Sequence, residues 1–338
     1  MKKSMVVLAV ALGFLFGNLM IIPQPAFSGT VSSYSVNDKV MMDPASELIT
    51  KATNVTFSNF SMAGGVFWTR VKSEWPNIQA EMAIGANIEH AIEMKRLGMF
   101  IPNKSKAWES IPAEFKDKDG YYFCDSMWTV MTIVNKDLLK KKGLTKPTSW
   151  YDLLDPKWKG EIALPNPMTS SSAYLTILGL VKLMGEDKAF EYLDKLHPNV
   201  AQYTQSGGAP ALLVSRGEVA FGITDSTSAY SRIKEGYPIE TAIPKEGLPY
   251  SMSANGVFAS TKDPQRLKDS LTVLDYTASD EYQSLIAKFR PKVTNPKVLG
   301  LEKDFGKITL IKDFDYEWVI ANKERIQNKW KERYSVKK

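Results

Sequence analysis

Trp128-Thr129-Val130-Met131-Thr132-Ile133-Val134 is an uncharged run rich in β-branched and aromatic side chains, and it predicts a buried strand. Lys136 to Lys142 follows as a helix, stopped by Gly143. The same succession recurs on either side. Upstream, Val55 to Phe60 alternates apolar and polar residues as a strand, and Ser61 to Gly65 turns. Val66 to Trp75 then forms a helix with Phe67, Val71 and Trp75 on one face, ended by Pro76. Asn87 caps a further helix, Ile88 to Leu97, which Gly98 closes. Downstream, Ser149-Trp150 opens a helix that Asp155-Pro156 ends, and Glu161 to Leu164 is a short strand. Ser170 to Met184 sets Ala173, Ile177, Leu180, Val181 and Met184 on one helical stripe. A helix from Pro210 to Arg216 precedes a strand, Val219 to Ile223, with a polar loop, Thr224 to Ser228, at its carboxyl end. Asn255 to Ser260 is strand-like, a helix from Asp263 buries Leu267, Leu271 and Leu274, and Tyr316 to Tyr334 is amphipathic. Strands alternating with helices define an α/β architecture.

The N-terminus carries the marks of export. Lys2 and Lys3 precede an apolar run, Val6 to Phe16, and Ala26-Phe27-Ser28 offers a small-x-small cleavage pattern, so a signal peptide of residues 1–28 is expected. Gly13, Gly17, Asn18 and Pro23 interrupt the run that a retained anchor would need. About 310 residues remain, enough for two lobes. The formal charge of +6 falls to +4 once Lys2 and Lys3 are removed. That excess is spread along the chain and favours small anions over nucleic acid. Lone Cys124 excludes an internal disulfide and a multi-cysteine metal centre, and its apolar setting predicts burial. His90 and His197 are the only histidines; both read as helix-surface residues, which argues against most hydrolase and zinc chemistry.

Three stretches of small polar residues open helices: Ser61-Met62-Ala63-Gly64-Gly65, Thr169-Ser170-Ser171-Ser172 and Ser206-Gly207-Gly208-Ala209. The first N–H groups of a helix lack internal partners and sit at the positive end of the peptide dipoles, so such starts suit anions. Each could equally be a plain helix cap; their recurrence is what points to a shared cleft. Thr224-Asp225-Ser226 stands at the carboxyl end of a strand, where open α/β sheets bind ligands. Asp225 would repel an anion, so it either accepts hydrogen bonds from a ligand hydroxyl or ammonium or serves as a cap. Trp128 lies near the expected hinge and could stack on a ligand, whereas Trp68 reads as core.

Thr148-Ser149-Trp150-Tyr151-Asp152-Leu153-Leu154-Asp155-Pro156-Lys157-Trp158-Lys159-Gly160 resembles a segment of family 1 extracellular solute-binding proteins, in the branch of ferric-ion, hexose-phosphate, aminoethylphosphonate and polyamine receptors. Val134 to Leu139 and Ser206 to Gly222 resemble further stretches of that family. The resemblance implies a type II periplasmic-binding-protein fold, two doubly wound lobes joined by two crossing strands. The expected division is lobe 1 from residues 29–133 and 251–300, lobe 2 from 134–250, and a C-terminal helical segment, 301–338. It also implies a monomeric, non-enzymatic periplasmic receptor without a cofactor, working with the permease subunits of an ABC importer. The ligand-binding residues expected are Ser61, Gly64, Gly65, Asn87, Trp128, Thr169, Ser170, Ser171, Ser172, Gly207, Gly208, Thr224, Asp225 and Ser226. A phosphorylated or phosphonate solute is the leading ligand, and a ferric ion or iron chelate the alternative. The adjacent tyrosines of ferric-binding members are missing from Thr224 to Tyr230, which leaves only Tyr230 for a metal.

Overall fold

The structure, a computed structural model, describes residues 29–301 and 308–334. The expected signal peptide lies outside them.

Strands β1 (Thr30–Ser35), β2 (Thr56–Ser61) and β3 (Met82–Asn87) are parallel neighbours in the order β2-β1-β3. The long strand β4 (Phe123–Asn135) is buried along its whole length. Strands β5 (Ile162–Pro165), β6 (Val200–Thr204) and β7 (Phe221–Asp225) form a second parallel group, with short β8 (Ile239–Thr241) beside β4. Strand β9 (Leu248–Val257) returns antiparallel to β4 and to β3. Two-residue strands β10 (Lys292–Val293) and β11 (Leu310–Ile311) add to β4 and β9. The order along the sheet is β2-β1-β3-β9-β4-β7-β5-β6.

Strands β4 and β9 therefore serve both halves. Phe123 to Thr129 of β4 pairs with β9, whereas Val130 to Val134 pairs with β7. The apolar side chains divide at the same place. One core runs through β1 to β3 and ends at Met127; the other begins at Trp128 and takes in β5 to β7. The start of β4 lies five residues before the predicted one because Asp125 and Ser126 break the apolar run. Both are buried in the strand, and Asp125 accepts hydrogen bonds from Ser126 Oγ (2.7 Å), Asn255 Nδ2 (2.9 Å) and Tyr282 Oη (3.3 Å). Asn255 also accepts from the Gly85 amide of β3 at 2.7 Å, tying three adjacent strands together. Strand β1 and the helix Lys39–Thr53 that follows it are additions to the predicted elements, although Met41, Met42, Ala45 and Ile49 of that helix share one buried face.

The stretch from Ser149 folds as a tight turn of 3₁₀ helix, Trp150–Leu154, rather than a full helix. Ser149 and Asp152 close a capping box around it. Trp150 is 1% exposed; its indole donates to Gly247 O at 3.1 Å, and Tyr192 Oη donates to its carbonyl at 2.7 Å.

The C-terminal helix, Tyr316–Tyr334, packs Val319, Ile326, Trp330 and Tyr334 into the second core. It also reaches the first: Lys323 Nζ lies 2.7 Å from His90 Nε2. His90 is thus not on a helix surface as expected. It is fully buried, stacked against Trp68 at 5.2 Å, because this C-terminal helix covers it. Burial, reinforced by Lys323, holds its pKa well below the ordinary value, so the ring is neutral. His197 is half-buried beside Tyr203, and Cys124 is buried as expected.

Trp150→Ala removes a fully enclosed ring and its bond to Gly247. It should cost about 3–5 kcal/mol of unfolding free energy, read from the urea midpoint at unchanged slope.

Candidate functional site

A cleft of about 340 Å³ opens between the two cores, within the size range of small-molecule sites. Ser61, Gly64, Asn87, Trp128, Ser170, Ser171, Ser172, Gly207, Gly208 and Asp225 line it. The sequence-derived residues thus meet from three stretches, β2 into its helix, β5 into its helix, and the turn after β6.

At one end two helix starts face each other. The helix Gly64–Glu74 has no side-chain cap, so its first N–H groups point outward without one. Opposite stands the helix Ser171–Met184, capped by Ser170. A β-carbon on Gly64 would lie 1.8 Å from Ser171 Oγ. Glycine allows this approach, and a side chain here would force the Ser171 hydroxyl to turn aside. Asn87 stands beside them at the N-cap of the helix Ile88–Arg96 but does not cap it. It is 1% exposed, and both polar atoms of its amide are buried without a hydrogen-bond partner. It lies near enough to Glu89 to temper that carboxyl, whose pKa burial raises, yet makes no bond of good geometry there. Buried amides are almost always paired, so an unpaired one lining a cleft marks a place for a ligand.

The Ser206–Gly208 turn connects this end to the other. A β-carbon on Gly207 would meet Ser172 Oγ at 2.5 Å and Ser170 Oγ at 3.1 Å, whereas one on Gly208 would meet Ser228 Oγ at 2.5 Å and Asp225 Oδ2 at 3.6 Å. At this second end Asp225 caps the helix Ser226–Lys234, accepting from Ser228 N and Oγ, both at 2.8 Å. It both caps and lines the cleft.

Four expected residues are set back from the lining. A β-carbon on Gly65 would meet the backbone oxygens of Met168 and Thr169 at 3.3 and 3.5 Å. Thr169 donates its hydroxyl to Gln205 O at 2.7 Å, and Thr224, now the penultimate residue of β7, donates to Gly207 O at 2.8 Å. These two brace the turns that the cleft uses. Ser226 is fully buried behind Asp225. Tyr230, the residue kept for a metal, is buried along another groove, with Lys234 over its ring. Strand β7 runs two residues further than predicted, and the helix then turns these side chains away.

The cleft also holds residues that sequence reasoning missed. Val36, Asn37, Asp38 and Lys39 follow β1, and Thr227 and Arg290 complete the wall. The first group occupies the carboxyl end of a strand, a signal that required recognising β1. Arg290 had no local signal. It is 4% exposed; Nη1 donates to Thr227 Oγ1 at 2.7 Å and Nη2 to Asn37 Oδ1, whereas Nε has no partner. Asp38 is exposed at the rim, yet both halves of the protein crowd around it. That crowding, ahead of the like charge of Asp225, pushes its carboxyl up to about 7, against the opposing pull of Arg290 and Ser228.

Residues 80–305 match the family described as bacterial extracellular solute-binding protein. The fold is similar to that of the periplasmic binding protein AfuA of Actinobacillus pleuropneumoniae, solved with exogenous fructose-6-phosphate. The TM-score is 0.82 at 29% identity, over 91% of this chain and 99% of that one. A "Putative 2-aminoethylphosphonate-binding periplasmic protein" of Salmonella typhi is 31% identical over 176 residues, 51% of this chain and 49% of that protein. The apo ferric ion-binding protein A of Pasteurella haemolytica shares the fold at a TM-score of 0.73 and 18% identity, over 90% of this chain and 97% of that one. Strands shared by two cores, a cleft between them and a family match over residues 80–305 have one reading: the chain belongs to the bacterial extracellular solute-binding proteins, has the type II periplasmic-binding-protein fold, and is the solute-binding component of an ABC importer.

Proposed function

We propose that the cleft takes a small phosphorylated or phosphonate solute, held by its anionic group between the helix starts at Gly64 and Ser171. The observation that carries this is the unpaired, buried amide of Asn87 beside two opposed helix starts. Backbone N–H groups, serine hydroxyls and an amide are all donors that an oxyanion can satisfy. Hydrogen bonds to a charged group contribute on the order of 1.5–3 kcal/mol each, and four to six, less ordering and association costs, reach micromolar affinity at roughly −8 kcal/mol. The fructose-6-phosphate bound by AfuA and the phosphonate in the name of the Salmonella relative fit that chemistry.

In this reading residues 1–28 are removed on export after Ser28, and a monomer in the periplasm carries its solute to the permease subunits without turning it over. Lobe 1 comprises residues 29–133 and 251–300, and lobe 2 residues 134–250. Their closure brings Gly64 to Ser171, so the ligand favours the closed state by contacts made only there. A ferric-ion reading has less support. Tyr230 is outside the cleft, and among the described residues no group of three or more His, Cys, Asp or Glu could hold a metal ion.

Replacing Ser171 and Ser172 together with Ala should weaken binding of fructose-6-phosphate or 2-aminoethylphosphonate, whichever the wild type takes, at least tenfold by calorimetry. Unchanged affinity would remove those serines from the site. A second expectation concerns pH. The carboxyl of Asp38 is raised from the ordinary range to about 7 in the folded chain. Between about pH 4 and 7 the folded chain therefore holds more protons than the unfolded one, and this group's contribution to stability declines as pH rises. The ligand-free Asp38→Asn variant should melt progressively higher than wild type across that window; a constant difference in Tm would contradict the assignment.

A further inference from the structure

The end of the cleft opposite Gly64 has the reverse chemistry. Asp38 follows β1 and belongs to the half with Gly64, whereas Asp225 ends β7 and belongs to the half with Ser171. Asp38 stands at the N-cap of the helix Lys39–Thr53, but its side chain makes no capping bond. Ser228 Oγ lies 2.8 Å from Asp225 Oδ2 and 3.4 Å from Asp38 Oδ2. A hydroxyl has a single proton, and the shorter distance gives it to Asp225. Arg290 attracts both carboxylates, but its hydrogen bonds go to Thr227 and Asn37, and its single charge stands against two. Lys39 adds a cation but is exposed, and it makes no ion pair with either aspartate. Two carboxylates thus meet across the cleft with fewer donors than their oxygens can accept. The unpaired Asn87 amide lies in the same cavity, at its donor-rich end.

We infer that Asp38 and Asp225 form a cation subsite, one carboxylate from each lobe, which takes the ammonium of a zwitterionic ligand whose phosphonate or phosphate sits at the Gly64–Ser171 end. This inference rests on the anion reading above and narrows it to amine-bearing solutes. An ammonium brings three donors to a place where acceptors outnumber them. It also relieves the repulsion that closure imposes on Asp38, the group whose carboxyl this crowding raises. Closure then requires both ends of the ligand. A phosphonate without an amine leaves two carboxylates against the single charge of Arg290, and a diamine without a phosphonate leaves the Asn87 amide and the helix starts unpaired. A bound metal is a less suitable occupant, because the described residues place only two carboxylates here and no third acidic, histidine or cysteine ligand.

The test is calorimetry at one pH and low salt with three probes of similar size: 2-aminoethylphosphonate, propylphosphonate, which lacks the ammonium, and putrescine, which lacks the phosphonate. Wild type should prefer 2-aminoethylphosphonate over both by at least tenfold. Asp38→Asn keeps the shape and disturbs no cap. It should lose at least tenfold for 2-aminoethylphosphonate while binding propylphosphonate at least as tightly as wild type does. Asp225→Asn, which retains the capping oxygen, should shift selectivity in the same direction. Equal wild-type affinity for the two phosphonates, or an equal loss for both in Asp38→Asn, overturns the cation subsite and leaves the anion site standing. Failure of both phosphonates to bind wild type overturns both readings, and a preference for putrescine would reassign the cleft to polyamines.

Discussion

The approach of two helix starts across a cleft, with glycine on one side and serine on the other, is the constraint on which the functional architecture depends. A side chain at position 64 would occupy the space of Ser171 Oγ. With glycine there, the uncapped N–H groups of one helix face the hydroxyls of the other, and on the proposed reading a single small anion bridges them. The arrangement is rigid where it needs to be. Thr224 fastens the Gly207 turn and Thr169 fastens the strand end opposite, so the residues just behind the cleft position those in front.

That approach is possible only because two strands run through both cores. Asp125 and Asn255 hold these strands together by a buried hydrogen-bond network that also includes Gly85 and Tyr282. Burial raises the carboxyl of Asp125, and its several donors oppose the shift. A polar network in the middle of a sheet costs desolvation unless each member is paired. Here the pairing fixes register across β3, β9 and β4, and with it the relation between the two halves of the cleft. The C-terminal helix adds a second connection, anchored by Trp330 and Tyr334 in one core and touching His90 in the other.

Much of this was legible in the sequence, for identifiable reasons. Helical stripes such as Ala173 to Met184 and the uncharged run from Trp128 follow from side-chain periodicity, which burial imposes directly. The donor-rich end of the cleft was legible because serine and glycine at helix starts recur in sequence. The acceptor-rich end was half hidden. Asp225 could be read from the end of its strand, but Asp38 follows a strand, Thr30–Ser35, whose serines mask its alternation. Arg290 enters from more than 60 residues beyond Asp225, and nothing local marks it as part of the site. The two histidines illustrate the other difficulty. His90 has the sequence context of a surface helix and is buried only because a helix more than 200 residues later packs over it.

The central claim concerns where the anion sits, and a crystal structure of the protein grown with 2-aminoethylphosphonate and separately with fructose-6-phosphate addresses it most directly. The account predicts that a phosphorus-centred group appears within hydrogen-bonding distance of the Asn87 amide and the backbone at Gly64 and Ser171, with the lobes closed around it. A bound solute whose anionic oxygens lie elsewhere, with the Asn87 amide still unpaired, would contradict it.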